Sequence, residues 1–577
     1  MRPARMRAEF PAPEFRGRQE AAIERIREAF AAGNDVVLVR APTGSGKSLL
    51  ARAIAGCARR PGESDGIEAT GAYYTTPQVS QLDDVAGDEL LEDFAVIRGK
   101  GNYDCILPGE TETPVTEAPC ARETGFDCPV KHRCPYFSDR SIAANRNIAA
   151  MTLAYFMQTA GSDVFGQRDV VVVDEAHGLA EWAEMYATIE LSPERIPVWD
   201  ACEPPDIDGL TDVAGYAERL GRVCKRRLEE LRGRTELSRR EVSERDRLRE
   251  LQRELSWFLE DVRDPESPTT WVVDQPDRAV TVKPMDPARY LHHTVWDRGR
   301  KFALLSATIL DKDAFCAGTG LNPADVALVD IPHTFPLEHR PLYDVTCGKM
   351  TYERRDETIP KIARTIGQLM AHHPDEKGLV HAHSYAIADR LAERLRELGV
   401  GDRVRTHDSD TRDAALASWK REDSNAVFVA VKMEEALDLR GDLCRWQVLC
   451  KAPYPNTRDS RVARRLEEGQ WGWYYRTALR TVIQAAGRVV RAPDDHGATY
   501  LADTSLLDLF ERARGAMPDW FAAQVDAMKT PALPAFDPAV ASTGTDAGTE
   551  PVSGRTATEE ETASLEDHPL GDVWETD

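Results

Sequence analysis

The chain has 577 residues, 42% of them hydrophobic, with a formal net charge of −24. That length is too great for one core, so three or four domains of ordinary size are expected. No stretch reaches the ~20 apolar residues of a membrane helix, and residues 1–14 lack the apolar core of a secretory signal, so the reading is a cytoplasmic protein with no membrane segment.

The basic residues are mostly Arg, with few Lys. An acidic surface has the wrong sign for general attraction to polyanions. It matches the balance of proteins from a salt-rich, halophilic cytoplasm. At molar salt the Debye length falls to about 3 Å, so any binding to a charged strand would rest on short hydrogen bonds and stacking.

From Asn34 onward, apolar strand-like runs alternate with helical segments, which predicts an α/β architecture with parallel sheets. The strand candidates are Val36–Val39, Ala72–Thr75, Val170–Val173, Phe302–Leu305, Gly378–His381, Ala426–Val431, Gln447–Cys450 and Ala498–Leu501. The first runs into Ala41-Pro-Thr-Gly-Ser-Gly-Lys-Ser48, followed by a helical pattern through Leu49, Leu50, Ala53 and Ile54. A strand, a glycine-bearing turn and a helix in that order form a phosphate loop. Gly44 and Gly46 let the backbone wrap a polyphosphate closely, with Thr43 and Ser45 in the same turn. The loop N–H groups then point at the anion. Lys47 is placed to reach the β- and γ-phosphates, and Ser48 to hold Mg²⁺.

Four of the chain's cysteines fall in one window, Cys105, Cys120, Cys128 and Cys134, separated by 14, 7 and 5 residues. The paired knuckles of zinc ribbons are missing. Four thiolates can also hold an iron–sulfur cluster, so spacing leaves cluster, zinc and free thiols open. The other cysteines are scattered and read as small buried apolar residues.

Asp169-Val-Val-Val-Val-Asp-Glu-Ala-His177 supplies a buried strand with Asp174 at its carboxyl end, where α/β sheets place ligands. Asp174 suits Mg²⁺, and Glu175 suits the orientation and deprotonation of an attacking water. Residues from about 205 to 262 are dense in Arg, Glu and Leu and predict long charged helices inserted into the α/β order. From about Pro534 the tail is polar, acidic and without periodicity, and disorder is expected there.

This motif order resembles the superfamily 2 helicases over residues 15–503. Phe15 and Gln19 resemble the adenine-reading segment. Tyr73-Tyr-Thr-Thr-Pro-Gln-Val-Ser80 resembles the segment touching the nucleic-acid backbone, and Ser306-Ala-Thr308 the one linking hydrolysis to strand movement. Lys377 to Tyr385 resembles the opening of a second motor lobe. Glu434-Glu-Ala-Leu-Asp-Leu439 resembles that lobe's acidic motif around Asp438, with Ala436 where the family usually has Gly. Gln484-Ala-Ala-Gly-Arg-Val-Val-Arg491, read as a helix, is its most diagnostic piece. The resemblance implies that Arg488 and Arg491 cross to the first lobe as arginine fingers and that Gln484 senses the same phosphate.

Arg98-Gly-Lys-Gly-Asn-Tyr-Asp-Cys105 and Cys134-Pro-Tyr-Phe137 resemble the XPD/DinG family, whose members carry a [4Fe-4S] domain at this point. Two RecA-like P-loop motor domains are therefore implied, with an inserted Fe-S domain and a helical arch. The divisions are motor domain 1 over 1–97, 146–190 and 291–335, the cluster domain over 98–145, the arch over 191–290, motor domain 2 over 336–533, and the tail over 534–577. The implied activity is ATP-dependent 5′→3′ movement on single-stranded DNA by a monomer, with unwinding of forked or tailed duplexes in repair or replication. An RNA motor, a non-unwinding translocase, and a scaffold with vestigial ATPase motifs are the alternatives. Tyr103, Tyr155 and Tyr385 are candidates to stack on bases.

Overall fold

The structure is a computed structural model that describes residues 1–60, 69–123, 125–267, 269–275, 279–431, 439, 441–490 and 492–541. In chain order, β1 (Val36–Arg40), β2 (Ala72–Thr76), β3 (Phe94–Val96), β4 (Ile148–Thr152) and β5 (Arg168–Val173) are followed by β6 (Ile189–Leu191), β7 (Trp271–Asp274) and β8 (Val280–Pro284). Next come β9 (Gly299–Ser306) and β10 (Val326–Asp330), then β11 (Leu342–Gly348), β12 (Gly378–His381), β13 (Val404–Arg405), β14 (Val427–Ala430), β15 (Trp446–Leu449) and β16 (Ala498–Asp503).

The first lobe is a seven-stranded parallel sheet in the order β10-β1-β9-β5-β2-β4-β3. Its central strands are β-branched runs because both faces are covered. Val37 and Val39 of β1, Val170 and Val172 of β5, and Ala303 and Leu305 of β9 enter one core. Their neighbours Leu38, Val171, Val173, Phe302 and Leu304 enter the other, as the two-residue period of a strand requires.

The second lobe is a six-stranded parallel sheet in the order β11-β16-β15-β12-β14-β13. Every strand candidate lies within or overlaps an observed strand, and the two-sheet α/β expectation holds. The packed chain runs on past Pro534 as far as Ala541. Phe536 lies against Gly367, leaving no room there for a Cβ, and Gln368 donates to the Pro534 carbonyl at 3.0 Å. The expected disorder therefore does not begin at 534, because Leu533 and Phe536 anchor the segment on the second core.

Between β5 and β9 sits a hairpin of two helices, Leu210–Arg232 and Arg239–Arg263. Ser238 caps the second helix in a reciprocal box with Glu241. Leu220, Leu248, Leu255 and Phe258 line its own core. Beneath it lies an antiparallel sheet, β6-β8-β7, which the sequence reading lacked. This insertion touches the second lobe. Lys283 pairs with Asp459 at 2.8 Å, Ser460 donates to Asp274, and Arg465 donates to the Met285 carbonyl at 3.0 Å. Among the described residues, no helix is long and apolar enough to cross a membrane.

Candidate nucleotide site and cysteine cluster

The motif strands β1, β9, β5 and β2 are adjacent and parallel, so their carboxyl-end loops emerge side by side. Asp174 N–H donates to the Thr75 carbonyl at 2.8 Å, and Ala41 N–H to the Ser306 carbonyl at 2.9 Å. The phosphate loop has Gly44 at φ 78° and Gly46 at φ 81°, conformations that glycine adopts at no steric cost. Lys47 and Ser48 open the helix Lys47–Gly56. Ser45 Oγ is buried with no hydrogen-bond partner, which suits a loop that awaits an anion.

Gln19 does not wait for an adenine in this conformation. Its amide donates to the Ser45 carbonyl at 3.2 Å, and its side chain fills the space where Gly46 would carry a Cβ. Phe15 packs on Phe10, with ring centroids 4.5 Å apart.

Lys47 Nζ lies 3.1 Å from Glu175 Oε1. Glu175 adopts φ 49°, a left-handed conformation costing about 1–2 kcal/mol outside glycine. The Glu175 N–H donates to Asp174 Oδ1 at 2.9 Å, and Tyr74 donates to Asp174 Oδ2 at 3.1 Å. Burial alone would raise the Glu175 carboxyl, but Lys47, His177 and Arg488 outweigh it and hold it well below the ordinary value. Asp174 goes the other way, pushed up by burial and by the charge of Glu175.

The second lobe closes the site through His177, whose role the sequence reading missed. His177 Nδ1 lies 2.9 Å from Ser306 Oγ and 3.3 Å from Glu175 Oε2. Its Nε2 is 2.6 Å from Gln484 Nε2 of the second lobe. Arg480, one turn before Gln484, donates to the His177 carbonyl at 3.1 Å. A ligand that shifts Glu175 therefore shifts a group in direct contact with the other lobe. Gln484→Ala should lower strand-stimulated turnover about fivefold, the worth of one hydrogen bond between neutral partners. Phosphate release with and without single-stranded DNA measures it, and unchanged stimulation would remove Gln484 from the coupling.

The helix expected through Arg491 instead ends at Ala486, with Gly487 as its cap. Gly487 lies against the phosphate loop, where a Cβ would meet Thr43 Oγ1 at 3.2 Å. Beyond it, Val489 and Val490 turn into an apolar cluster with Leu379 and Phe428, which draws the chain off the helical path. Arg488 lines the cleft between the lobes together with Thr43, Glu175 and Thr308. Arg491 and Asp438 lie outside the described residues.

The four cysteines converge. Cys105 and Cys134 are buried, and Cys120 and Cys128 are half-buried. Burial raises the Cys120 thiol, the buried Lys100 opposes this, and the three other thiols add to the rise. Cys134 is the N-cap of the helix Pro135–Asn145. Leu107 N–H donates to Cys105 Sγ at 3.5 Å. Among the described residues, no three of these sulfurs lie within 4.8 Å of one another, more open than the ~3.8 Å edge of a tetrahedron with Zn–S of 2.3 Å. Tyr103 and Tyr155 are buried, so both pack and neither presents a face to a strand. Tyr385 packs edge-on to His407 at 5.6 Å.

Two family models match the chain: DEAD_2 over residues 127–196 and the Helicase C-terminal domain over residues 366–524. Human regulator of telomere elongation helicase 1 is 33% identical over 164 residues, 25% of this chain and 13% of that protein. The general transcription and DNA repair factor IIH helicase subunit XPD/RAD3 of Saccharomyces cerevisiae is 26% identical over 188 residues, 28% of this chain and 24% of that protein. The chain thus matches about an eighth of the length of the telomere helicase. The solved structure of Xpd4 from S. tokodaii aligns with a TM-score of 0.56 at 15% identity, covering 90% of this chain and 100% of that one. A second solved structure, titled as an XPD helicase, gives 0.56 at 18% identity over 87% of this chain and 98% of that one. These alignments identify the two sheets as RecA-like lobes. Over the matched segments the sequence is therefore similar to helicases named XPD/RAD3 and regulator of telomere elongation helicase 1, and the fold is that of the XPD structures.

Proposed function

We propose that this chain is an ATP-driven motor that moves along single-stranded DNA and unwinds forked or tailed duplexes, 5′→3′, in repair or replication. The observation that carries the reading is the contact chain Lys47–Glu175–His177–Gln484, which runs from the phosphate loop into the second lobe.

The chemistry follows from competition for Lys47. In the structure Lys47 neutralises Glu175. A bound triphosphate draws the ammonium to its β- and γ-oxygens and adds negative charge nearby. Both changes raise the Glu175 carboxyl from its depressed value, so it becomes able to take a proton from the attacking water. Ser48 and Asp174 would hold the Mg²⁺ that accompanies the nucleotide, and Arg488, with Arg491, would meet the charge developing on the γ-phosphoryl group. ATP then touches both lobes, while ADP and phosphate hold them less well. That differential affinity moves the lobes.

Cys105, Cys120, Cys128 and Cys134 would hold a [4Fe-4S] cluster, which would cross-link the segment 98–145 on the face of the first lobe. The convergence of the four thiols, with buried Lys100 beside them and an N–H donated to Cys105, supports a thiolate-bound group there. Residues 191–290 act as an arch over the strand, and residues 336–533 as the second motor domain. The Arg-rich acidic surface suits work at high salt, as in a halophile.

The test is ATP hydrolysis with and without single-stranded DNA, and strand displacement on 5′- and 3′-tailed duplexes, with protein purified without oxygen. Turnover that ignores DNA would end the motor reading, and RNA stimulation alone would make it an RNA motor. Cys128→Ser should lose iron and at least about tenfold in unwinding, with strand-stimulated hydrolysis falling less, because no cysteine lines the interlobe cleft among the described residues. Equal loss of both would point to misfolding.

A further inference from the structure

The segment that returns the chain from the insertion to β9 is a short helix, Ala288–Thr294, followed by a single turn, Trp296–Arg298. Their inner sides are fixed. Arg289 pairs with buried Asp261 of the hairpin at 2.7 Å, and Tyr290 packs edge-on to Trp257 of the same helix, with ring centroids 5.7 Å apart. In the turn, Trp296 donates to the Thr319 carbonyl at 2.9 Å and meets Phe302 of β9 edge-on at 5.0 Å. The guanidinium carbon of Arg298 lies 4.3 Å from the centre of the Phe156 ring. The helix is thus tied to the hairpin and the turn to the first lobe.

Their outer side carries three exposed residues, His292, His293 and Asp297. One ligand atom from each of these side chains lies within 4.8 Å of the other two, a condition that the cysteine window does not meet among the described residues. His292 Nδ1 is 3.4 Å from Asp297 Oδ1, and His293 Nδ1 is 3.5 Å from Asp297 Oδ2. Both distances exceed the roughly 3.2 Å of a good N–H···O bond. They are close to the ~3.3 Å that separates two ligand atoms on a tetrahedral ion held at ~2.0 Å. Successive residues of a helix point about 100° apart, yet both imidazoles reach one carboxylate. Asp297 is itself held in place, since its carbonyl accepts the Gln167 amide at 3.2 Å.

We propose that His292, His293 and Asp297 bind one divalent transition-metal ion of the zinc class, with water in the fourth position. Two imidazoles and a carboxylate suit zinc, whereas magnesium and calcium prefer oxygen ligands alone. None of the three residues lines the interlobe cleft, so this ion is separate from the Mg²⁺ that accompanies a nucleotide. Two ligands come from the helix Ala288–Thr294 and one from the turn Trp296–Arg298. The ion therefore clamps the two together where the insertion rejoins the first lobe, and its task is to hold the insertion at a fixed angle.

The test titrates Zn²⁺ into the full chain, purified without oxygen, by calorimetry. Hydrogen exchange over residues 288–298 is followed with and without the ion. The unaltered protein is compared with His293→Ala, Asp297→Asn and Cys128→Ser, and hydrolysis without DNA checks the fold of each. The unaltered protein should take up one zinc that His293→Ala binds at least about a hundredfold more weakly, because even outer-shell changes cost about 10–100-fold. Asp297→Asn should weaken the same zinc, and Cys128→Ser should keep it. Exchange over 288–298 should slow on addition of zinc to the unaltered protein and stay unchanged in His293→Ala. Equal zinc affinity in the unaltered protein and His293→Ala would overturn the site, as would loss of the zinc in Cys128→Ser alone. Uptake through the histidines without slower exchange would overturn the clamp.

Discussion

Lys47→Ala should lower ATP turnover about a hundred- to thousandfold, the range seen when one preorganised donor to a developing anion is removed. The side chain stands at the first residue of the helix Lys47–Gly56, where helix dipole and ammonium act on the same phosphates. Its removal also strips Glu175 of the cation at 3.1 Å that offsets burial, so two adjacent acids, Asp174 and Glu175, lose their compensation together. Nucleotide affinity should fall with turnover. Steady-state phosphate release and binding of a fluorescent ATP analogue measure the two effects, with the melting temperature as a control. Near-normal turnover would remove Lys47 from the phosphate site.

Arg488→Ala should separate binding from chemistry. A fingertip arginine contributes about 10³–10⁵ in rate, whereas ground-state binding draws mainly on the first lobe. Turnover should therefore collapse while the ATP analogue still binds within severalfold of its normal affinity. Arg488 lines the interlobe cleft with Glu175 and Thr43 and helps to depress the Glu175 carboxyl, so it already reaches the site before nucleotide arrives. Arg488→Lys should rescue little, because an ammonium cannot present the planar fork that a phosphoryl group accepts. Equal loss of binding and turnover would make Arg488 a structural residue.

The lobes were readable because their central strands are buried on both faces, so Val36-Val-Leu-Val39 and Val170-Val-Val-Val173 stand out as unbroken β-branched runs. Gly44 and Gly46 showed the loop for a similar reason, since the left-handed turn they make has few other residues available to it. β4, Ile148-Ala-Ala-Met-Thr152, was hidden by small residues without β preference. The antiparallel sheet β6-β8-β7 was hidden because β6 meets β8 only across the whole helical hairpin. His177 could be read as part of a motif but not as a bridge, because its partner Gln484 is 307 residues away. The cysteine window was visible as a count, and its ligand was not, since spacing carries no information on how far apart four sulfurs settle.

The insertion leaves and rejoins the chain within the first lobe, yet it is strapped to the second by Lys283–Asp459, Ser460–Asp274 and Arg465–Met285. The chain's passage from the first lobe to the second, between β10 and β11, is therefore paralleled by a second linkage. Helices of 23 and 25 residues span about 35 Å at 1.5 Å per residue. Each degree by which the strap turns the base of the hairpin then sweeps its far end about 0.6 Å, by the same length. A turn of the second lobe toward the first on nucleotide binding would in this way be geared up at the far end of the hairpin.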